Sequence, residues 1–220
     1  DRLRSRGLGD VYKRQVHMEE NMIITISRQY GSGGSQVAKI LAERMGVWCY
    51  DRDILTIAAE RIGNEELTED TINDLNYKRN DVASAGITGV MGMGNIPIYN
   101  QMFLEQAKII RKLANYGSAV FLGRCADYIL KDIKNCTSVY LYADREFRKN
   151  RVKEIYGSNA EIMDKEEKNR ADYYNYYTGN RWGDINNYDF AINTSKVSFE
   201  EAADLIYRFA KDKQKNLKDR

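Results

Sequence analysis

The sequence predicts an α/β protein built on a parallel sheet with helices on both faces. Three observations carry that reading. Short apolar runs of strand length, at residues 23–26, 118–122 and 137–142, alternate with longer helical patterns, which calls for crossover connections and a twice-covered sheet. The first run opens through a glycine turn directly into a helix. Polar groups then recur where predicted strands end, at the glycine turn, at Asp51-Arg52-Asp53, at Gly123-Arg124 and after Tyr142. Open α/β sheets gather their ligands at those strand ends.

The chain is 220 residues long, and its first 17 are set apart. They lack apolar periodicity, and Asp10-Val11-Tyr12-Lys13-Arg14-Gln15 resembles the conceptual translation of a transposon adapter used in sequencing libraries. Residues 1–17 are therefore expected to be a sequencing artefact or disordered, ahead of a start at Met18 or Met22, and they have no apolar segment of a targeting peptide. A basic arm touching nucleic acid is the alternative. Without Arg2, Arg4, Arg6, Lys13 and Arg14 against Asp1 and Asp10, the net charge of +2 becomes −1, so the mildly basic balance gives no support to a nucleic-acid partner. His17, the one histidine, leaves with this segment, and no histidine chemistry is expected. Residues 18–220 suffice for one well-cored domain with an excursion. No apolar run approaches the roughly 18–20 residues of a membrane span. Cys49, Cys125 and Cys136 are odd in number and lack C-x-x-C spacing, which argues against a disulfide framework or zinc site and for a reducing cytoplasm.

In chain order, residues 23–26 form the first strand, and Val37, Ile40, Leu41 and Met45 mark one face of the helix that follows. Residues 47–50 read as a short buried strand. A helix over 54–62 turns Ile54, Ile57, Ala58 and Ile62 inward. A second starts near Thr68 as cap, with Glu69 and Asp70 in its first turn and Ile72, Leu75 and Val82 as its apolar side. Residues 83–98 hold Gly86, Gly89, Gly92, Gly94 and Pro97 and are expected to form a mobile loop. The helix over 99–116 points Met102, Gln106, Ile109, Ile110 and Leu113 inward and stops at Gly117. A short helix over 128–133 separates the strands at 118–122 and 137–142. Asp144 is expected to cap the next helix, with Phe147, Val152 and Ile155 toward the core, Arg148 and Arg151 on another face, and Gly157 at its end. Residues 159–184 are charged and tyrosine-rich. The last strand covers 189–193, and the final helix opens on the capping box Ser198-x-x-Glu201 and buries Phe199, Ala202, Ile206 and Phe209.

The glycine turn has the chemistry of a phosphate cradle, since glycines let an anion approach backbone N–H groups at a positive helix terminus. A plain β-to-α turn would also read this way. The pattern G-x-x-x-x-G-K-[ST] requires a lysine where Gly34 stands, with a hydroxyl at Gln36 or, one earlier, Ser35. Lys39 lies more than a turn into the helix, and Arg28 is the better substitute donor.

The segments ITISRQYGSGGSQVAKILAERMG, YDRD, FLGRCADYIL, YLYADREFRKNRV, KNRADYYNYYTGNRWGD and NYDFAINTSK, in that order, resemble the cytidylate kinase-like family of P-loop nucleoside monophosphate kinases. The resemblance runs from residue 23 to about residue 209, and Gly34 is its departure from a standard cytidylate kinase. It implies a three-layer P-loop NTPase fold with a parallel five-stranded sheet. One kinase domain would span 18–220, with an acceptor-binding insertion at about 63–100 and a lid at about 157–187. It also implies ATP- and Mg²⁺-dependent phosphoryl transfer to a nucleoside monophosphate, CMP or dCMP first, in a cytoplasmic enzyme. Its partners would be nucleotide substrates, without nucleic acid or membrane, and there is room for a homodimer.

Carried over residue by residue, Gly31, Ser32, Gly33, Gly34, Ser35 and Gln36 would surround the ATP phosphates, with Ser35 and Asp51 near the metal. Asp51, Arg52, Asp53 and Arg124 would serve the acceptor, and Arg148, Arg151, Arg170 and Arg181 the transferring group, where Arg28, read from its place just before the glycines and not from the resemblance, would join them as a catalytic residue. Simpler readings stand beside these: Asp53 as a helix cap, Asp51 paired with Arg52, Arg124 in a surface ion pair with Asp127, and Arg148 and Arg151 on a solvated face. Tyr173 and Tyr177, four apart, either stack on a base or pack their helix onto a neighbour. Phosphoryl transfer asks chiefly for positioning and charge neutralisation, which suits a chain with no histidine base or obvious nucleophile. A kinase for another small molecule, or a nucleotide-binding module with little catalysis, are the rival functions.

Overall fold

The computed structural model describes residues 21–62, 98–157 and 160–218. Its strands are β1 (Ile23–Arg28), β2 (Cys49–Tyr50), β3 (Ala119–Leu122), β4 (Cys136–Tyr142) and β5 (Phe190–Asn193). Its α-helices are α1 (Gly34–Met45), α2 (Asp53–Ile62), α3 (Ile98–Tyr116), α4 (Ala126–Ile129), α5 (Arg145–Tyr156), α6 (Ala160–Thr178) and α7 (Phe199–Lys218). The strands form one sheet in the order β2-β3-β1-β4-β5, every pair parallel. Ile23 pairs with Ala119 on one side and Cys136 on the other, so the end of β1 lies at the middle of the carboxyl edge. From β1 the chain goes first to the β3 side and later to the β4 side. That makes the end of β1 the switch point at which such sheets bind ligands.

Alternation along the strands divides the core in two. Ile23, Ala119, Phe121 and Cys136 face Ile54, Ala58, Met102, Ile110 and Tyr174. Ile24, Ile26, Val120, Leu122, Val139 and Leu141 face Val37, Leu41, Ala202 and Ile206. Period-2 alternation in a sheet buried on both sides thus yields three layers, with α1 and α7 on one face and α2, α3, α4 and α6 on the other. No described helix is long and apolar enough to cross a membrane.

Several local expectations change. The second strand shortens to Cys49–Tyr50 and is half-buried rather than buried, because Gly46 and Val47 are taken up in the C-terminal motif of α1: their N–H groups donate to Glu43 and Ala42 carbonyls at 3.1 and 3.0 Å. The short helix after β3 begins at Ala126 instead of 128, started early by a left-handed turn at Gly123-Arg124-Cys125. Asp144 occupies the cap position of α5, but its carboxylate accepts from Lys196 and Asn193 rather than from the helix. In α5 the buried side chains are Arg148 and Val152, while Ile155 is 47% exposed. Phe209 is likewise on the surface, against Phe190. The capping box forms as expected, with Ser198 N–H donating to Glu201 Oε2 at 2.8 Å and Glu201 N–H to Ser198 Oγ at 3.1 Å. The helix expected from Thr68, with Ile72, Leu75 and Val82, and the glycine-rich loop up to Pro97 lie outside the described residues, as do residues 1–17.

Candidate active site

At the end of β1 the chain turns through residues 29–33 and enters α1 at Gly34. Gly33 is the N-cap in the left-handed conformation, φ 80°, and no side chain caps the helix. The Gln36 N–H is taken by the Gly33 carbonyl at 2.9 Å, whereas those of Gly34 and Ser35 have no preceding helical carbonyl to meet. They open on a cleft lined by Gly31, Gly33, Gly34, Ser35 and Gln36, with Arg151, Ile155, Tyr156 and Arg170 across it. The loop is held from behind. Gln29 N–H donates to the Leu141 carbonyl at 2.9 Å, and Gln29 Oε1 accepts Ala143 N–H at 3.2 Å. Ser32 is fully buried; its hydroxyl donates to the Gln29 carbonyl at 2.8 Å and its own carbonyl accepts the Thr194 hydroxyl at 2.7 Å. Ser32 therefore shapes the loop from inside, and its side chain is not on the cleft.

A second cleft lies beside the first, lined by Ser27, Arg28, Gly123, Arg124, Cys125, Arg170, Tyr173, Tyr174 and Trp182. Arg28 and Arg170 belong to both walls. The Arg28 stem lies over Gly34 and its guanidinium over Gly123, with Nη2 3.7 Å from Asp51 Oδ1. Asp51 is thus paired with Arg28, not with Arg52. Arg124 and Cys125 have φ of 60° and 55°, a conformation costing non-glycine residues about 1–2 kcal/mol each, and the strained turn sets both residues on the second cleft.

Helix α6 brings one face to the two clefts. Tyr30 N–H donates to Glu167 Oε2 at 2.7 Å, Trp182 Nε1–H to Glu167 Oε1 at 3.2 Å, and Arg170 Nη1 to the Arg28 carbonyl at 3.1 Å. The Arg170 guanidinium also lies 5.0 Å from the Tyr30 ring centroid. One turn on, Tyr174 OH donates to Asp127 Oδ2 at 2.7 Å, and the Ser27 hydroxyl reaches Asp127 Oδ1 at 3.4 Å. Asp127 is buried, and burial raises its carboxyl above the ordinary value despite those bonds. It is a floor beneath the second cleft, not a surface partner for Arg124. Phe103 stacks on Tyr177 at 4.1 Å and meets Tyr173 at 6.4 Å, so these tyrosines pack α6 onto α3, with Tyr173 also on the second cleft.

The other predicted residues divide. Arg148 is buried and donates to the Tyr30 carbonyl at 3.3 Å, with Glu167 3.9 Å away; it braces the loop and lines neither cleft. Arg151 lines the first cleft, bonds Gln36 Oε1 and lies over the Phe199 ring at 4.7 Å. Arg181, Arg52 and Asp53 are exposed and line neither cleft, and Asp53 is the first-turn acid of α2. Glu167, Tyr174, Ser27 and Trp182 were not singled out from the sequence, and Asp127 entered it only as an alternative ion-pair partner of Arg124. The signal for two of them was there, since Glu167 and Tyr174 stand three and four residues from Arg170 and share its helix face.

Among the described residues no three acidic, cysteine or histidine side chains converge on a metal position. A magnesium ion carried by nucleotide phosphates needs few protein donors, and the hydroxyl residue Ser35 on the first cleft would fit that need. The carboxylate of Asp51 is engaged by Arg28.

A central strand feeding a glycine loop and helix N-terminus, in a parallel sheet of this order, with a second cleft beside the loop, is the architecture of the P-loop kinases. A profile of the cytidylate kinase-like family matches residues 23–196, and the chain belongs to that family. A crystal structure of an uncharacterized protein from Eubacterium ventriosum is 30% identical with a TM-score of 0.64, covering 86% of this chain and 98% of that one. A gluconokinase from Sinorhizobium meliloti and a shikimate kinase from Acinetobacter baumannii in complex with shikimate share the fold. Both are 15% identical with a TM-score of 0.50; the match covers 87% and 89% of this chain and 95% of each of theirs. No curated protein matches the chain.

Proposed function

We propose that this protein transfers the γ-phosphoryl group of ATP to a nucleoside monophosphate, with CMP or dCMP the first choice of acceptor. The observation that carries the reading is the meeting of the two clefts at Arg28 and Arg170, the place a phosphoryl group must cross. The N–H groups of Gly31, Gly33, Gly34 and Ser35 hold the nucleotide phosphates, and Ser35 holds the magnesium ion. When bound, ATP with magnesium supplies the phosphoryl group and screens its charge. Arg124 takes the acceptor's anionic group with a planar fork that lysine lacks. Arg170 draws α6 over the junction, and α6 and the acceptor-binding segment at about 63–100 act as lid and receptor that exclude water. The setting is the reducing cytoplasm, in keeping with free cysteines at 49, 125 and 136.

A second acceptor class is favoured by Arg124 itself, because a guanidinium binds a carboxylate as readily as a phosphate. A coupled ADP-release assay over nucleoside monophosphates and small hydroxy acids, with ATP and magnesium, decides between them. Turnover highest in kcat/KM with a pyrimidine monophosphate supports the first reading, and highest with a hydroxy acid supports the second. ATP binding with no transfer to any acceptor refutes both and leaves a nucleotide-binding module.

A further inference from the structure

Gly34 stands where a phosphate loop carries its lysine, and the structure shows what fills the space. A Cβ at Gly34 would lie 2.6 Å from Cγ and 2.8 Å from Cβ of Arg28. A Cβ at Gly123 would run into the Arg28 guanidinium. The side chain of Arg28 thus lies in a track between two glycines, one opening α1 and one closing β3. It is only 14% exposed and its far end faces Asp51. An arginine on this path and any side chain at position 34 exclude one another, whatever the charge of that side chain.

From this track we infer that Arg28 is the loop's displaced cation. It is rooted in the last residue of β1 instead of the first turn of α1, and it neutralises the phosphoryl group in transit between the clefts. The inference rests on the kinase reading of those clefts. In the step, an acceptor oxygen forms the new bond to the γ-phosphorus. The bond to the bridging oxygen breaks, and its electron pair leaves with ADP. Arg28 stays protonated throughout and moves no proton. A lysine rooted at position 34 would approach from the nucleotide side alone. Arg28 borders both clefts, so its charge is best matched to the equatorial oxygens of the group between donor and acceptor. Asp51 is a positioning residue that keeps the guanidinium extended.

The test compares the full chain with Arg28→Ala, Gly34→Lys and the double exchange, using thermal melts and ATP binding to establish that each is folded. Arg28→Ala is expected to lower kcat about 10²–10³-fold with a smaller change in the KM for ATP. Gly34→Lys does comparable damage, because it forces Arg28 from its track. The double exchange restores one cation to one vacated space and exceeds both single variants by at least about tenfold in kcat, the sign of two positions serving one role. An unchanged kcat in Arg28→Ala, or a folded double variant no faster than the singles, overturns the assignment. If the parent chain phosphorylates no acceptor, it is the kinase reading that has failed. The cation is then read from the ratio of ATP to ADP affinity measured by calorimetry. That ratio drops about tenfold or more in Arg28→Ala and returns in the double exchange if Arg28 faces the terminal phosphate; a ratio that stays the same in all four proteins overturns the inference.

Discussion

Removing the Glu167 carboxylate would separate α6 from the phosphate loop. Glu167 accepts the Tyr30 N–H at 2.7 Å and the Trp182 indole N–H at 3.2 Å, with Arg148 3.9 Å away. Bonds to a charged acceptor contribute about 1.5–3 kcal/mol each when buried. Glu167 is 23% exposed and Arg148 9%, so water replaces part of what the substitution removes. Taking the two bonds at roughly half strength, and the long ion pair at about 0.5–1 kcal/mol, gives about 3 kcal/mol for Glu167→Ala. In a domain of this size that lowers the melting temperature by about 6–12 °C. Glu167→Gln keeps one carbonyl acceptor and should lose about half as much. Amide exchange gives the local readout, because the Tyr30 N–H should lose protection while the centre of β1 keeps it. Glu167→Ala with an unmoved melt and an equally protected Tyr30 amide would show that Gln29 and Ser32 hold the loop unaided.

Three further outcomes follow from the same contacts. Burial raises the Asp127 carboxyl above its ordinary 3.8, so ionisation in the folded state is penalised. That penalty is absent below pH 3.8 and grows as pH rises through the folded value. Asp127→Asn should therefore match or exceed the parent's denaturation midpoint at neutral pH and converge with it in acid; a lower midpoint at neutral pH would contradict this. Glu201 titrates below its ordinary 4.5 because Ser198 bonds its carboxylate. Its contribution is complete above that value and fades as pH falls through the lowered one, so Glu201→Gln should flatten that part of the acid-unfolding profile. Phe103→Ala removes a ring stacked on Tyr177 and should cost about 2 kcal/mol at a half-buried site. It should raise the acceptor KM more than the ATP KM, and equal changes would separate α6 docking from the acceptor cleft.

The sheet was legible because the residues that form it repeat a simple signal. Ile23 to Ile26, Val120 to Leu122 and Val139 to Leu141 are apolar on both faces, and only a doubly covered strand uses such a run. Val47 was misread because the same apolar residue serves equally to close α1, and local hydrophobicity does not separate the two uses. Ile155 and Arg148 exchanged places for a related reason. Helical spacing fixes which residues share a face, but not which face meets the core when a buried arginine braces a loop carbonyl. Asp127 stood in the sequence only as an alternative surface partner of Arg124, because nothing in GRCAD announces a left-handed turn at two non-glycine residues, and that turn is what carries the carboxylate inside. The loop contacts of Glu167 join residues 137 apart, beyond any periodicity.

A cation rooted in β1 differs physically from one rooted in α1. Arg28 belongs to the central strand, whose register is fixed on both sides by β3 and β4, and its side chain is confined by Gly34, Gly123 and Asp51. Much of the conformational entropy a long side chain would lose on meeting a phosphoryl group is therefore already lost in folding. That is the condition under which a fixed charge stabilises a transition state without reorganising at the moment of reaction. Confinement also removes tolerance. A methyl group at Gly34 strikes the stem and one at Gly123 strikes the head, so the three positions work as one unit. The departure from the lysine pattern at residue 34 is then the visible half of an exchange whose other half is the arginine six residues earlier.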